Sequence, residues 1–282
     1  MVRIMQTPPL LTDRTALERH RIRALRAAAM FLHDEVAAEV QERLNEVNRT
    51  FTNPAIVSGF ADFWQSVMPK ARVIADTDLL DLKPGAHDLI IHALGLHWAN
   101  DPVGQLAQCR QALKPDGLFL GFMFGGQTLH QLRSALAQAE SQVSGGLSPR
   151  VLPMGEIRDL AGLLQRAGFA LPVADSLTQT VRYRDLFHLM ADLRAMGETN
   201  ALHQRLRKPT HRAIFAAAAQ IYQDNFQDNG GRIPATFEII CLTGWAPDQS
   251  QQKPLRPGSA THRLADHLGA DESPLRPRAS EG

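Results

Sequence analysis

The sequence predicts an α/β protein, a mostly parallel sheet covered by helices on both faces. Three observations predict it. Short apolar runs alternate with longer segments of helical periodicity, as in βαβ units. The run from Asp88 to Leu94 is almost continuously apolar, which suits a strand buried on both faces of a parallel sheet. Turn signals, Lys83-Pro84-Gly85 and Pro115-Asp116-Gly117, punctuate the runs.

Taken in order, residues 13–49 read as helix. Leu17, Ile22, Leu25, Ala29, Leu32, Val36, Val40, Leu44 and Val47 recur at helical spacing, Asp13 offers a cap and Asn53-Pro54 an end. The stretch is long for one helix, so a break is expected near Ala28 or Met30. The basic segments Arg19 to Arg23 and Arg205 to Lys208 read as solvated faces. Residues 55–57 predict a strand, 61–67 a short helix, and 72–75 a second strand ending on Asp76. Pro102, preorganised for a first helical turn, opens a helix through Leu113, and 118–124 is another buried strand. A helix over 128–143 stops at Gly145-Gly146, and one over 154–167 stops at Gly168. Residues 178–181 predict a strand, 185–196 and 209–224 helices, and 235–242 a last strand running into Gly244-Trp245. The chain thus divides into a flexible start (1–12), N-terminal helices (13–50), a main domain (51–246) and a tail (247–282). The tail's Gln, Pro, Arg and Ser predict disorder.

Composition excludes several classes. With 282 residues, 44% hydrophobic, 21% charged and a formal charge of +1, the chain reads as an ordinary globular protein. That charge argues against nucleic-acid binding through bulk positive potential. No apolar run approaches the roughly 20 residues that span a bilayer, and residues 1–11 lack a secretory core. Cys109 and Cys241 are the only cysteines, neither a disulfide framework nor a thiolate zinc site, so a reducing compartment, the cytoplasm, is expected.

His87, His92 and His97 are evenly spaced, but alternation along a strand turns His92 away from its neighbours, so no metal site is expected. His97-Trp98 falls just past a strand's C-terminal end, where α/β ligands collect; Trp98 is either a pocket wall or a core aromatic. Arg133 and Glu140 share one helix face. No nucleophile–base arrangement stands out, and the catalytic residue stays unassigned.

The stretch His87 to Leu94, followed by Leu96-His97-Trp98-Ala99-Asn100-Asp101-Pro102 and Leu113-Lys114-Pro115-Asp116-Gly117, resembles the second half of a class I S-adenosylmethionine (SAM) methyltransferase. In that family these are the fourth strand, the loop after it, a helix and the turn into the fifth strand. The Leu94 to Asp101 variant is similar to the branch that holds the malonyl carrier-protein methyltransferases and assembly factor 5 of respiratory complex I. Phe124-Gly125-Gly126-Gln127-Thr128-Leu129, Leu132-Arg133, Ala139-Glu140 and Gly145 to Arg150 resemble the assembly-factor members. So do Pro153, Leu189 to Leu193, Met196-Gly197-Glu198, Asn200, Pro234 to Glu238 and Gly244-Trp245, over about 160 residues in all.

The resemblance implies a Rossmann-like class I methyltransferase sheet with N-terminal helices and a helical C-terminal extension. It divides the main domain into a cofactor half (51–124) and a substrate or partner half (125–246). SAM would be the cofactor, held at Ser58, Gly59, Asp76, His97 and Trp98. Gly125, Gly126, Arg133, Ser148, Arg150, Glu198 and Glu238 would serve substrate or partner, the two glutamates suiting a guanidinium. The implied partner is a peripheral-arm subunit of NADH:quinone oxidoreductase, with an arginine-directed activity.

One departure is on the cofactor side. Where the family carries D-x-G-x-G-x-G, this chain reads Ile56-Val57-Ser58-Gly59-Phe60-Ala61-Asp62, with one glycine and the bulky Phe60 in the turn. Pro54 to Asp88 spans about 35 residues where three strands, two helices and their loops take roughly 60. One strand–helix unit is therefore missing, expected to be the one carrying the ribose-binding acid, with Asp76 matching the acid after the third strand. Two readings follow: a SAM-dependent or arginine-modifying enzyme, and a non-catalytic docking factor that has lost SAM binding.

Overall fold

The structure, a computed structural model, describes residues 10–252. Asp13 caps the first helix, α1 (Arg14–Ala24), its carboxylate accepting the Ala16 N–H at 3.1 Å. That satisfies one of the donors a helix start leaves without an internal partner. After a break over 25–30 the chain resumes as α2 (Phe31–Val47), so the periodic stretch is two helices, parted where expected. The register of α1 differs from the expectation. Ala16, Leu17, Arg21 and Ala24 are buried, while Ile22 and Leu25 are 58% and 57% exposed. Arg21 is thus no solvated cation.

The strands and helices that follow are β1 (Pro54–Val57), α3 (Ala61–Val67), β2 (Arg72–Ile74), β3 (His87–Ala93), α4 (Pro102–Ala112) and β4 (Leu113–Phe124). The second half contributes α5 (His130–Ser144), α6 (Ile157–Arg166), β5 (Ala170–Tyr183), α7 (Leu186–Ala195), α8 (Arg212–Phe226) and β6 (Ile233–Trp245). Six strands form one sheet in the order β2-β1-β3-β4-β6-β5. The first four are mutually parallel, and β6 runs antiparallel to both β4 and β5. In the doubly wound order 3-2-1-4-5 the second strand flanks the first. β2 occupies that place beside β1, so the unit missing from the short span is the outer third strand. Asp76 therefore follows the second strand, not the third.

Strand alternation sends neighbouring residues to opposite faces and so builds two cores. On one face Ile56, Leu89, Ile91, Leu120 and Phe122 pack with α2, α5, α7 and α8. On the other, Ala55, Val57, Ile90, Phe119 and Met123 pack with α4 and α6. β5 is longer than the predicted 178–181. It runs along the sheet edge with half-buried, alternating side chains, so only its middle shows a strand's apolar signature. The Pro115-Asp116-Gly117 turn falls inside β4 as an irregularity, with Asp116 at φ 57° and a register shift against β3 between His87 and Leu89. Of the expected flexible start, residues 1–9 lie outside the described residues, whereas Thr12 is buried and donates its N–H to Asn100 Oδ1 at 2.9 Å. Most of the expected disordered tail, 253–282, also lies outside them. Among the described residues no helix is long and apolar enough to cross a membrane.

Candidate functional site

Ligands of doubly wound sheets bind beyond the C-terminal strand ends, where the strand order reverses. Here that switch point lies between β1 and β3, beside the loop after β2. Gly59 follows β1, Asp76 follows β2 and Gly95 follows β3, and the three loops close on one ion pair. Arg21, reaching in from α1, donates Nη1 to Asp76 Oδ1 at 2.6 Å and Nη2 to Oδ2 at 2.9 Å. This two-pronged fit is the geometry a planar guanidinium makes with a carboxylate. Arg14 adds contacts from Nη2 to the Asp76 carbonyl and to Oδ1. Both partners of the main pair are buried, Arg21 at 8% exposure and Asp76 at 3%.

The surrounding backbone is shaped to this pair. A Cβ on Gly59 would collide with the Arg21 guanidinium, and one on Gly95 would lie 2.6 Å from Asp76 Oδ2. Burial pushes the Asp76 carboxyl up, but the charge and hydrogen bonds of Arg21, then the charge of Arg14, outweigh it and hold it below the usual range. Ser58 is buried and ties this region to itself: its N–H donates to the Ile74 carbonyl at 3.0 Å, and its Oγ accepts the Phe60 N–H at 3.2 Å. Phe60 packs on His33, ring centroids 5.0 Å apart, as a core aromatic.

A second feature is a cavity that Trp98 helps to line. It measures about 350 Å³ and is walled by Phe124, Leu129, Leu132, Leu193, Phe215 and Phe237. Glu198 supplies its one carboxylate, and Arg150, Arg194 and Arg205 add guanidinium groups to its lining. Glu198 Oε2 accepts Trp98 Nε1–H at 2.8 Å and His97 Nε2 at 3.4 Å. His97 Nδ1 in turn faces the Phe124 N–H at 3.5 Å. Oε1 of Glu198 accepts no hydrogen bond among the described residues. Burial raises the Glu198 pKa, yet the hydrogen bond and charge of His97, then the charge of Arg21 and the Trp98 hydrogen bond, bring it below the ordinary value. Trp98 is thus both alternatives at once, a 3% exposed aromatic packed with Leu17 and Ala201 and a wall of the cavity.

The remaining expected residues sit around this cavity rather than in it, except Arg150. Gly125 donates its N–H to the Glu238 carbonyl at 2.8 Å, and Gly126 donates to Gly155 at 3.1 Å. The Glu238 carboxylate accepts the Gln127 N–H at 2.8 Å, so it pins the loop after β4 and does not line the cavity. Arg133 donates to the Gly126 and Thr128 carbonyls of the same loop. Ser148 bonds Glu140 through its Oγ and its N–H. The three histidines diverge: His87 Nδ1 meets the Asn53 carbonyl, His92 Nε2 meets Gln105 Oε1, and His97 serves Glu198. Among the described residues one group of candidate metal ligands comes together, Glu39, Asp175 and Cys241. Arg43 already ion-pairs with both carboxylates, at 2.7 and 2.6 Å, and supplies the charge a cation would.

Residues 29–121 match the family described as the methyltransferase domain. Across 231 residues the chain is 38% identical to the mitochondrial arginine-hydroxylase NDUFAF5 of Danio rerio, covering 81% of this chain and 72% of that protein. It is 35% identical over 257 residues to the human protein of the same name, covering 82% and 74%. The chain belongs to the NDUFAF5 family. It is also 36% identical over 179 residues to a malonyl-[acyl-carrier protein] O-methyltransferase of Xylella fastidiosa, covering 64% of this chain and 58% of that one. The NDUFAF5 family therefore stands within the class I methyltransferase fold, whose cofactor is SAM.

Of the elements that would hold SAM, this family member keeps a glycine after β1 and an acid after β2. Both are engaged by Arg21, and any group laid against Gly59 must displace that side chain. The residues as they stand do not fit the cofactor. The obstacle is Arg21 rather than Phe60, whose ring lies in the core.

Proposed function

We propose that this NDUFAF5-family protein acts in the assembly of respiratory complex I. On this reading it takes an arginine-bearing segment of a peripheral-arm subunit of NADH:quinone oxidoreductase into the Glu198 cavity. The compartment we assign is the cytoplasm. The relatives are named as arginine hydroxylases, which supports an arginine-directed role, and one observation carries the reading. Glu198 is a largely buried carboxylate, its side chain 12% exposed, oriented by Trp98 and His97, in a cavity whose other walls are mainly apolar. An arginine suits such a space. Its three methylenes lie along Leu129, Leu132 and Leu193, and its guanidinium reaches Oε1, which no other group uses among the described residues. The chain's own residues bind and orient; Trp98 and His97 hold Glu198 in one rotamer before the ligand arrives, which lowers the ordering cost of binding.

Tiled peptides covering the peripheral-arm subunits, read by fluorescence polarisation, test this. The bound peptide should weaken by about tenfold or more when its arginine is replaced by citrulline, and equally in Glu198→Gln. The two changes together should cost little more than either alone, as for groups that touch. A peptide bound equally well with citrulline would remove Glu198 as the guanidinium acceptor.

A further inference from the structure

The crevice at Gly59, Asp76 and Gly95 has a resident ligand, and it belongs to the chain. We propose that this crevice is a guanidinium site occupied by Arg21 of α1, which stands where the fold's nucleoside cofactor would and makes this family member independent of SAM. The inference concerns the cofactor half alone and stands apart from the arginine reading of the Glu198 cavity.

Four observations converge on it. The Arg21 head group fills the space that the missing Cβ of Gly59 leaves, so the surviving glycine of the eroded turn is accounted for by the arginine. Asp76, placed after the second strand as a ribose-binding acid would be, spends both oxygens on Arg21. Gly95 is bare because Asp76 Oδ2 lies against it. Arg21 is no accident of a mobile helix. Asp13 at the start of α1 ion-pairs with Arg205 at 2.9 Å and donates its N–H to the Ala201 carbonyl at 2.8 Å, which anchors the helix to the segment after α7.

Energetics favour the arginine over an incoming nucleoside. A buried, two-pronged ion pair is costly to open, because each partner is then left charged and without its match. A nucleoside hydroxyl offered to Asp76 in exchange is neutral and leaves Arg21 to find another anion. The charge of Arg21 also helps to hold the Glu198 carboxyl below its ordinary value.

The experiment uses the full chain in three forms: wild type, Arg21→Ala and Asp76→Asn. Each is titrated with SAM and with S-adenosylhomocysteine by calorimetry, and its melting temperature is followed with and without about 20 mM guanidinium chloride, too dilute to act as a denaturant. The wild type should bind neither nucleoside at up to millimolar concentration. Arg21→Ala should melt on the order of 10 °C lower, the cost of breaking a buried pair in a domain of this size. Guanidinium should restore part of that loss, rising with the logarithm of its concentration, while equal sodium chloride does not. Asp76→Asn should melt lower and gain nothing from guanidinium. Micromolar binding of SAM by the wild type would overturn the proposal, even if Arg21→Ala failed to fold. So would an Arg21→Ala protein that guanidinium does not stabilise.

Discussion

Glu140 and Arg150 are joined by two parallel hydrogen bonds, Nε to Oε2 at 2.9 Å and Nη2 to Oε1 at 2.7 Å. Glu140 sits near the end of α5, and Arg150 closes the loop that leaves that helix through Gly145. The same carboxylate takes the Ser148 N–H and Oγ–H, so one side chain organises the whole return of the chain. The free edge of Arg150, Nη1, donates to Thr210 Oγ1 at 3.0 Å and ties this loop to the segment before α8. Arg150 also lines the cavity, so the clamp sets the shape of the candidate site.

Removing the charge at this clamp should therefore cost both stability and site geometry. The hydrogen bonds of Arg150, and then those of Ser148, hold the Glu140 carboxyl down to about 2 against an ordinary 4.5. A depressed carboxyl contributes its full stability above pH 4.5 and loses it as the pH falls from about 4.5 to about 2. Glu140→Gln should destabilise the protein by about 2–3 kcal/mol at pH 7, since hydrogen bonds to a charged group are lost and Arg150 is left unpaired. Urea unfolding of both proteins checks this: the gap between them should narrow across that acid window and stay constant between pH 6 and 8.

Two buried histidines predict a different window. Burial pushes both His33 and His92 down to about 4 from an ordinary 6.5. Trp64 Nε1 donates to His33 Nδ1 at 3.1 Å and so favours the neutral ring, whereas His92 Nε2 donates to Gln105 Oε1 at 3.0 Å, a contact that favours the protonated ring and that burial outweighs. The unfolded chain takes up these protons below about pH 6.5 and the folded chain only near 4, so stability falls as the pH drops through that interval. Each histidine contributes a slope of up to about 1.4 kcal/mol per pH unit near pH 5. His33→Gln keeps an acceptor for Trp64 and should lower the slope by one proton. A slope unchanged in that variant would place the titration elsewhere.

Much of the fold was legible because its signals are local. The cap at Asp13, the proline at the start of α4 and the apolar run of β3 each determine an element without help from the rest of the chain. β5 was legible only at its centre, since Pro172, Asp175 and Ser176 interrupt the pattern of a strand that is half exposed along an edge. Arg21 shows where local reading fails. Composition marks a cation in a basic segment as solvated, yet Leu17, Arg21 and Ala24 share the i, i+4, i+7 spacing of one helix face. That spacing was available, but Ile22 and Leu25 offered a competing apolar face, and only the position of Asp76 across the crevice decides between them. At the cavity, Trp98 is marked by its place just past the end of β3, and Arg150 and Glu198 by the family resemblance. Its apolar walls from α7 and α8, such as Met190 and Phe215, look in sequence like any helix core.

The last prediction concerns the cations of the cavity. Arg150 is matched by Glu140 and Arg205 by Asp13, whereas the exposed Arg194 has no ion pair among the described residues. It is therefore the guanidinium free to meet a carboxylate on a bound segment, which favours partners with an acidic residue flanking the inserted arginine. Arg194→Gln should weaken peptide binding about two- to fivefold at low salt, the scale of an exposed charge pair. It should lower the melting temperature by only a degree or two, the small loss of a favourable charge at the C-terminus of α7. Because exposed pairs are screened within about 8–10 Å at physiological salt, wild type and variant should converge in affinity as sodium chloride rises toward 0.5 M. Equal affinities for an acid-flanked peptide at low salt would mean that Arg194 takes no part in recognition.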